Sequence, residues 1–375
     1  MNGALPDFPW DTLAEAAQRA RAHPDGLVDL SVGTPVDPTP QLAQRVLAAA
    51  ADAPGYPQTA GTPELRRAMA AWLTRRWGAV DLTPDACLPV IGTKELVGWL
   101  PTLLGLGADD VVVFPRAAYP TYRVGALVAG ARAVAADDPD DLDPGLGRVR
   151  LVWVNSPSNP TGEVLGADRL RAWVRWCREH GAVLASDECY GELGWEAEPV
   201  SVLDPAVSGG SSDGLLALHS LSKRSNLAGY RAGFVAGDAA LVAGLLAVRK
   251  HLGMIMPAPV QAAMTALLDD DEEITAQRER YRRRRALLRP ALEAAGYRLD
   301  HSTAGLYLWA TRGEDARTTV DRLADLGILV APGDFYGEPE VTGQHVRIAL
   351  TATDERIAAA AHRLTATADA TAPTG

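Results

Sequence analysis

The sequence is poor in cysteine, with three among 375 residues: Cys87, Cys177 and Cys189. No two form a C-x-x-C pair, and the odd count fits a reducing compartment rather than a disulfide framework. A chain of this length buries enough apolar surface to need no such staples. It also lacks any uninterrupted apolar run near the ~18 residues of a membrane span. Met1 to Trp10 shows neither the basic nor the apolar region of a secretory signal, so the chain reads as cytoplasmic. The seven histidines are scattered, with no H-E-x-x-H and no His/Cys cluster, so no metal site is expected. Positive charge is in deficit: 36 basic residues against 47 acidic give a net charge of −11. Neither nucleic acid nor an anionic membrane suits that balance, and an anionic ligand must be held by local cations.

What is present is ordinary globular composition, 47% hydrophobic and 22% charged, at a length of about two domains. Between Val90 and Gly237 short β-branched runs alternate with amphipathic ones. The runs Asp110–Phe114, Val149–Val154, Ala182–Ser186, Leu215–His219 and Ala232–Ala236 predict strands. The patterns at Thr93–Leu104, Tyr122–Ala129, Ala167–His180 and Ala239–His251 predict helices. This alternation predicts an α/β fold with a mostly parallel sheet covered on both faces. A charged helix is expected over Glu272–Leu288, with the run Arg282–Arg285 on a solvated or interface face. From Tyr297 onward, strands alternate with helical patterns at Ala316–Leu326 and Asp354–Leu364 in a smaller α+β unit. The expected division is a large unit over 40–285 and a small one built from 1–39 and 286–375, with Thr365–Gly375 frayed.

The most informative stretch is Ser220-Leu-Ser-Lys223-Arg-Ser-Asn-Leu-Ala-Gly229-Tyr-Arg231-Ala-Gly233. It places Lys223 just past a strand end, where ligands bind in open α/β sheets. Lys223 is flanked by hydroxyls at Ser220, Ser222 and Ser225 and by Arg231. Hydroxyls with an arginine suit a phosphate. A lysine whose pKa is lowered is a nucleophile toward carbonyls. A Schiff-base lysine beside a phosphate subsite is what pyridoxal phosphate requires. Two further strand ends carry side chains suited to such a ring. The prolines of Asn155-Ser-Pro-Ser-Asn159-Pro-Thr-Gly162 force a rigid turn. Asp187, in Asp187-Glu-Cys-Tyr190, is a carboxylate at a strand end that needs a cationic partner.

The lysine segment resembles the signature of the class I/II aminotransferases, fold-type I pyridoxal-phosphate enzymes. The resemblance runs from Leu30 to Leu364, with the motifs in order. It implies a seven-stranded, mostly parallel sheet in the large domain. It implies that Lys223 carries the cofactor and acts as general base. Asp187 then holds the pyridine nitrogen, Asn159 and Tyr190 the phenolic oxygen, and Tyr119, in Pro115-Arg-Ala-Ala-Tyr119-Pro-Thr-Tyr122, stacks on the ring. Ser220, Ser222 and Arg231 hold the phosphate, with the N–H groups of Thr93 and Lys94 at a helix start. Arg347, in His345-Val-Arg347-Ile-Ala-Leu, takes the substrate α-carboxylate beside Gly33 and Asn159. Tyr56, in Tyr56-Pro-Gln-Thr-Ala-Gly61, reaches the phosphate of a neighbouring subunit, which implies a homodimer with shared active sites. Substrates are amino acids and 2-oxo acids.

The C-terminal text is similar to that of actinobacterial N-succinyldiaminopimelate aminotransferases. That resemblance implies amino exchange between N-succinyl-LL-2,6-diaminopimelate and 2-oxoglutarate in lysine biosynthesis. The distal succinyl carboxylate would need a cation, for which Arg19, Arg21, Lys94, Arg116 and Arg224 are open candidates. The alternatives are an aminotransferase for aspartate, aromatic or other amino acids, or a C–S β-lyase on the same scaffold.

Overall fold

Each apolar run of the central region becomes a strand, because helices cover both faces of the sheet it joins. The structure, a computed structural model, describes residues 5–371. The large sheet has seven strands: β1 Cys87–Ile91, β2 Asp110–Phe114, β3 Arg132–Ala135, β4 Arg148–Asn155, β5 Val183–Asp187, β6 Leu215–Ser220 and β7 Ala232–Gly237. Their order across the sheet is β1-β7-β6-β5-β4-β2-β3. Pairing is parallel from β6 through to β3, and β7 runs antiparallel to both of its neighbours. Six strands therefore point one way. Their carboxyl ends lie along one edge, joined there by the start of β7.

Besides β1, strand β3 lies outside the runs predicted as strands from sequence. It is short, at the sheet edge and partly exposed, so it carries no continuous apolar signal. Leu65, Met69, Trp72 and Trp173 fill one face of the sheet, and Leu96, Leu100, Tyr122 and Trp153 the other. Each such fully buried side chain contributes on the order of 1.5–3 kcal/mol. The helix α1, Pro63–Trp77, shows how local signals fix these layers. Thr62 caps its start, accepting from Leu65 N at 3.2 Å, and Gly78 ends it in the left-handed region.

A third core joins Leu13, Val28 and Leu30 to Leu308, Val320 and Ile348. The chain start is tied there by a parallel pairing of Val28–Asp29 with Ile328–Leu329. The C-terminal sheet is built from Arg298–Asp300, Tyr307–Thr311, Ala331–Pro332 and His345–Ala349.

Three expectations are corrected. The helix α2, Glu272–Ala294, runs past Leu288 and through Pro290, because Leu288, Ala291 and Leu292 pack into the third core. The run Arg282–Arg285 is not a uniformly solvated face. Arg284 is buried and pairs bidentately with Asp37 and also with Asp354, and Arg285 pairs with Glu196. The last helix, α3 Asp354–Thr371, is continuous where fraying was expected from Thr365, and 372–375 lie outside the described residues. No helix among the described residues is long and apolar enough to cross a membrane, and no cluster of metal-ligating side chains occurs among them.

Candidate active site

The common edge of the strands opens into a cleft of about 980 Å³. Every predicted site residue but one lines it. Gly33, Thr93, Lys94 and Tyr119 come from the first part of the chain, and Asn159, Asp187 and Tyr190 from the middle. Ser220, Ser222, Lys223, Arg231 and Arg347 complete the set. The exception is Tyr56, whose side chain is 100% exposed and outside the cleft of its own chain.

The topology explains this convergence. Asp187 ends β5, Ser220 ends β6, and Lys223 sits on the single helical turn Leu221–Arg224 that follows. Since β7 runs the opposite way, Arg231 precedes it at the same edge. Arg231 adopts a left-handed φ of 57°, unusual for a side-chain-bearing residue and held by its surroundings. Across from it, β1 ends at Gly92, the N-cap of a helix over Thr93–Leu103. Gly92 has φ 85°, and a Cβ there would stand 2.2 Å from Arg231 Nη2. Only glycine lets the guanidinium approach this helix start.

Burial and the cations Arg347 and Arg231 push the Lys223 amine down to about 8. The amine donates a short hydrogen bond to the Gly33 carbonyl. Asp187 is buried at the cleft wall and its carboxyl is raised by that burial. Its oxygens accept from Tyr122 Oη at 2.9 Å and Cys189 N at 3.2 Å, and no protein cation pairs with it among the described residues. Asn155 braces this strand end. Its amide donates to the Asp187 carbonyl at 2.8 Å, and its side-chain oxygen accepts from Asn159 N at 2.7 Å.

Arg347 comes from the C-terminal sheet and is buried. It donates to Asn159 Oδ1 at 2.8 Å and to the Ser31 carbonyl at 2.7 Å, while its Nε has no hydrogen-bond partner among the described residues. Its guanidinium lies 4.0 Å from the Tyr307 ring centroid and 4.9 Å from that of Tyr336. Tyr190 and Tyr307 share a hydroxyl contact of 3.1 Å. A Cβ at Gly33 would lie 2.2 Å from Tyr307 Oη, so glycine is required where this segment passes.

The donor set fits pyridoxal phosphate. Ser220, Ser222, Arg231 and a free helix start suit the phosphate. A buried carboxylate without a protein cation suits a protonated ring nitrogen, and a lysine amine near neutrality suits the aldehyde.

Sequence reasoning missed several groups. Tyr122, inside a motif that points by itself only to Tyr119, supplies the Asp187 hydrogen bond. Cys189 lines the cleft with its Sγ 3.1 Å from Thr93 Oγ1. Phe8 and Trp10 form part of the mouth, a contact no local pattern announces. Ser225, counted among the flanking hydroxyls, instead donates to Glu273. Of the five candidate distal cations, Lys94 and Arg116 line the cleft. Arg19 pairs with Asp321 and Asp325, Arg21 stays exposed on its helix, and Arg224 is buried behind the cleft floor.

Comparison with known proteins places this geometry. The family model for aminotransferase class I and II matches residues 25–364. A probable aminotransferase of Mycobacterium tuberculosis is 63% identical over 97% of this chain and 86% of its own length. The 4-dedimethylamino-4-oxo-anhydrotetracycline transaminase OxyQ of Streptomyces rimosus is 62% identical over 96% of this chain and 99% of its own. An aminotransferase from Neisseria meningitidis superposes with TM-score 0.88 at 32% identity, covering 98% of this chain and 100% of that one. A probable N-succinyldiaminopimelate aminotransferase from Thermus thermophilus superposes with TM-score 0.85 at 30% identity, covering 96% and 100%. The strand-end lysine, the fold and these relatives together lead to one conclusion: the chain belongs to the class I and II aminotransferases and is a pyridoxal-phosphate-dependent enzyme acting on amino and oxo acids.

Proposed function

We propose that the chain exchanges an amino group between an amino acid with a long, acid-terminated side chain and 2-oxoglutarate, with N-succinyl-LL-2,6-diaminopimelate as the substrate. The observation that carries this reading is Lys94. Its Nζ stands in the cleft mouth, 5.9 Å from the Phe8 ring centroid and 5.8 Å from that of Tyr119, and pairs with no carboxylate among the described residues. Arg116, the other lining candidate, lies 3.5 Å from Asp141 and 3.9 Å from Asp137. An unpaired cation at the end of a roomy cleft suits a distal carboxylate.

The roles follow from position. Arg347 pairs with the α-carboxylate beside Gly33 and Asn159. Lys223 Nζ holds the cofactor and, once released, takes the proton from the substrate Cα. When bound, pyridoxal phosphate supplies the electron sink for the resulting carbanion. Asp187, kept in place by Tyr122 and Asn155, keeps the ring nitrogen protonated. Tyr119 would stack on the ring, and Asn159 and Tyr190 would hold its phenolic oxygen. Ser220, Ser222, Arg231 and the N–H groups of Thr93 and Lys94 hold the phosphate. Tyr56, exposed on its own chain, serves the site of a second copy, so the working unit is a homodimer. The division into a large unit, 40–285, and a small one, 1–39 with 286–375, would let the wall bearing Arg347 close on substrate.

A second reading, amination of a bulky cyclic ketone, has its support in the relative OxyQ and in the aromatic wall of Phe8, Trp10 and Tyr336. A half-reaction spectrum separates the two. Holoenzyme is mixed with N-succinyl-LL-diaminopimelate, glutamate, aspartate and an aromatic amino acid in separate runs. Loss of the yellow band at micromolar levels of the succinylated substrate is expected, with the efficiency ratio over the aromatic substrate reduced about 10-fold in Lys94→Ala. Loss of the band with every donor except the succinylated one refutes the substrate assignment. Turnover of a polycyclic ketone with glutamate then selects the second reading.

A further inference from the structure

On the far side of the cleft floor, three polar side chains are buried together: Glu188, His219 and Arg224. Each adjoins a cleft residue in the chain. Glu188 follows Asp187, His219 precedes Ser220, and Arg224 follows Lys223. His219 and Ser220 are successive residues of β6 and point to opposite faces, while Glu188 follows the end of β5 and Arg224 shares the helical turn of Lys223. Whatever holds the second set therefore sets the stance of the first.

Their hydrogen bonds are only partly accounted for. Glu188 Oε1 accepts from Val202 N at 2.8 Å, and the side chains of Ser201 and Ser186 also hydrogen-bond its carboxyl. Arg224 donates through Nη2 to the Leu267 carbonyl at 3.1 Å and through Nε to Ser225 Oγ at 3.3 Å. The His219 ring is enclosed by Trp72, Trp77 and Phe234, with centroids 5.0, 6.2 and 5.3 Å away. Four buried atoms remain without a hydrogen-bond partner among the described residues: Glu188 Oε2, His219 Nε2, Arg224 Nη1 and Trp77 Nε1. Glu188 Oε2 and His219 Nε2 are 3.4 Å apart, too far for a strong charge-assisted bond.

All four residues line one small cavity of about 10 Å³, the space of a single water molecule. Arg224 Nη1 and Trp77 Nε1 can only donate. The Glu188 carboxyl, pushed up to about 7 by burial, accepts in its ionised form, and burial keeps His219 neutral, with its pKa pushed down to about 3. A neutral imidazole offers one acceptor nitrogen. Two donors and two acceptors match the four hydrogen bonds of one water.

We infer that this cavity binds one ordered water molecule, and that Glu188, His219 and Arg224, joined through it, position Asp187, Ser220 and Lys223 for catalysis. The water accepts from the guanidinium and the indole and donates to the carboxylate and the imidazole. It ties the end of β5 to the end of β6 and to the lysine turn, adding to the β-ladder, the Glu188 N–H to Leu218 carbonyl bond of 2.9 Å and the shared apolar packing of Leu184, Ala217 and Leu221. The three side chains are positioning residues, since none lines the cleft that holds substrate and cofactor. The inference is independent of which amino acid is the substrate.

A crystal structure of the holoenzyme tests the site directly. One density peak within hydrogen-bond distance of Glu188 Oε2, His219 Nε2 and Arg224 Nη1 is expected. A dry cavity, with Glu188 and His219 in direct contact, overturns the water. The positioning role is tested in Glu188→Leu and the conservative Glu188→Gln. We expect kcat to fall about 10-fold in the leucine variant, with KM for the amino donor within about 2-fold. The pH midpoint of the cofactor's absorbance change should shift, and the glutamine variant, which can still bond the water, should recover most of the rate. If Glu188→Leu does not fold, the midpoint and kcat of Glu188→Gln are compared with those of His219→Leu. Variants that lose thermal stability but keep the wild-type kcat and midpoint overturn the positioning role.

Discussion

The state of the Lys223 amine is the most direct quantity to perturb, because the chain carries only three lysines, Lys94, Lys223 and Lys250. Burial lowers Lys223 from the ordinary 10.5 to about 8, and Arg347 adds to the effect. At pH 7 such an amine is roughly 10% neutral, against roughly 0.03% for an ordinary lysine, a difference of about 300-fold in nucleophile. The sign follows from the charge. Both burial and a nearby arginine penalise the ammonium, so the neutral amine appears at lower pH and its reactivity levels off above about 8. Cofactor-stripped enzyme is treated with formaldehyde and a borohydride at stepped pH, and methylation of each lysine is followed by mass spectrometry. The exposed Lys94 and Lys250 in the same digest normalise for reagent. The Lys223 rate should rise tenfold per pH unit below the midpoint and flatten near pH 8. In Arg347→Gln, which removes a repelling charge, the midpoint should move to higher pH. A Lys223 rate still climbing tenfold per unit beyond pH 10, or a midpoint unmoved by Arg347→Gln, refutes this account of its activation.

Three other outcomes are expected. Arg347→Lys keeps the charge but loses bidentate geometry. About 1.5–3 kcal/mol for one charge-assisted hydrogen bond corresponds to roughly a 10–150-fold loss in kcat/KM for α-amino acids, and single-turnover kinetics would show it as weaker binding. Tyr56→Phe should weaken retention of the cofactor, and mixing Tyr56→Ala with Lys223→Ala subunits should restore activity from two inactive preparations. Failure of that complementation argues against shared sites. Arg284→Ala should lower stability by about 3–5 kcal/mol, because it strands the Asp37 carboxylate in a largely buried place, as urea denaturation would report.

Part of the site was legible because Lys223, Asp187 and Asn159 lie at or just past strands whose apolar runs are continuous. Lys223, Asp187 and Asn159 could be placed at strand ends from the pattern alone. What escaped the sequence depends on partners distant in the chain. Arg284 looked solvated because Asp37, with which it pairs, lies 247 residues away. Ser225 looked like part of a phosphate site, yet Glu273 draws it off through a hydrogen bond across 48 residues. Pro290 would end an isolated helix, but the burial of Leu288 and Leu292 carries α2 through it. Phe8 and Trp10 could be placed at the cleft only once Val28–Asp29 was seen to dock beside Ile328–Leu329.

The pairing of β1 has a consequence for how the chain is made. β1 is bound to the sheet only through β7, which is synthesised about 140 residues later. At the ~5–20 residues per second of translation, β1 waits roughly 7–30 s with its apolar edge unpaired. Gly92 and Thr93 stand on one side of that seam and Arg231 on the other, so in a nascent chain they come together only when β7 zips into place. On the proposed phosphate roles, cofactor capture follows completion of the sheet, and a ribosome stalled before Gly237 should display a chain that folds in part but does not take up the cofactor.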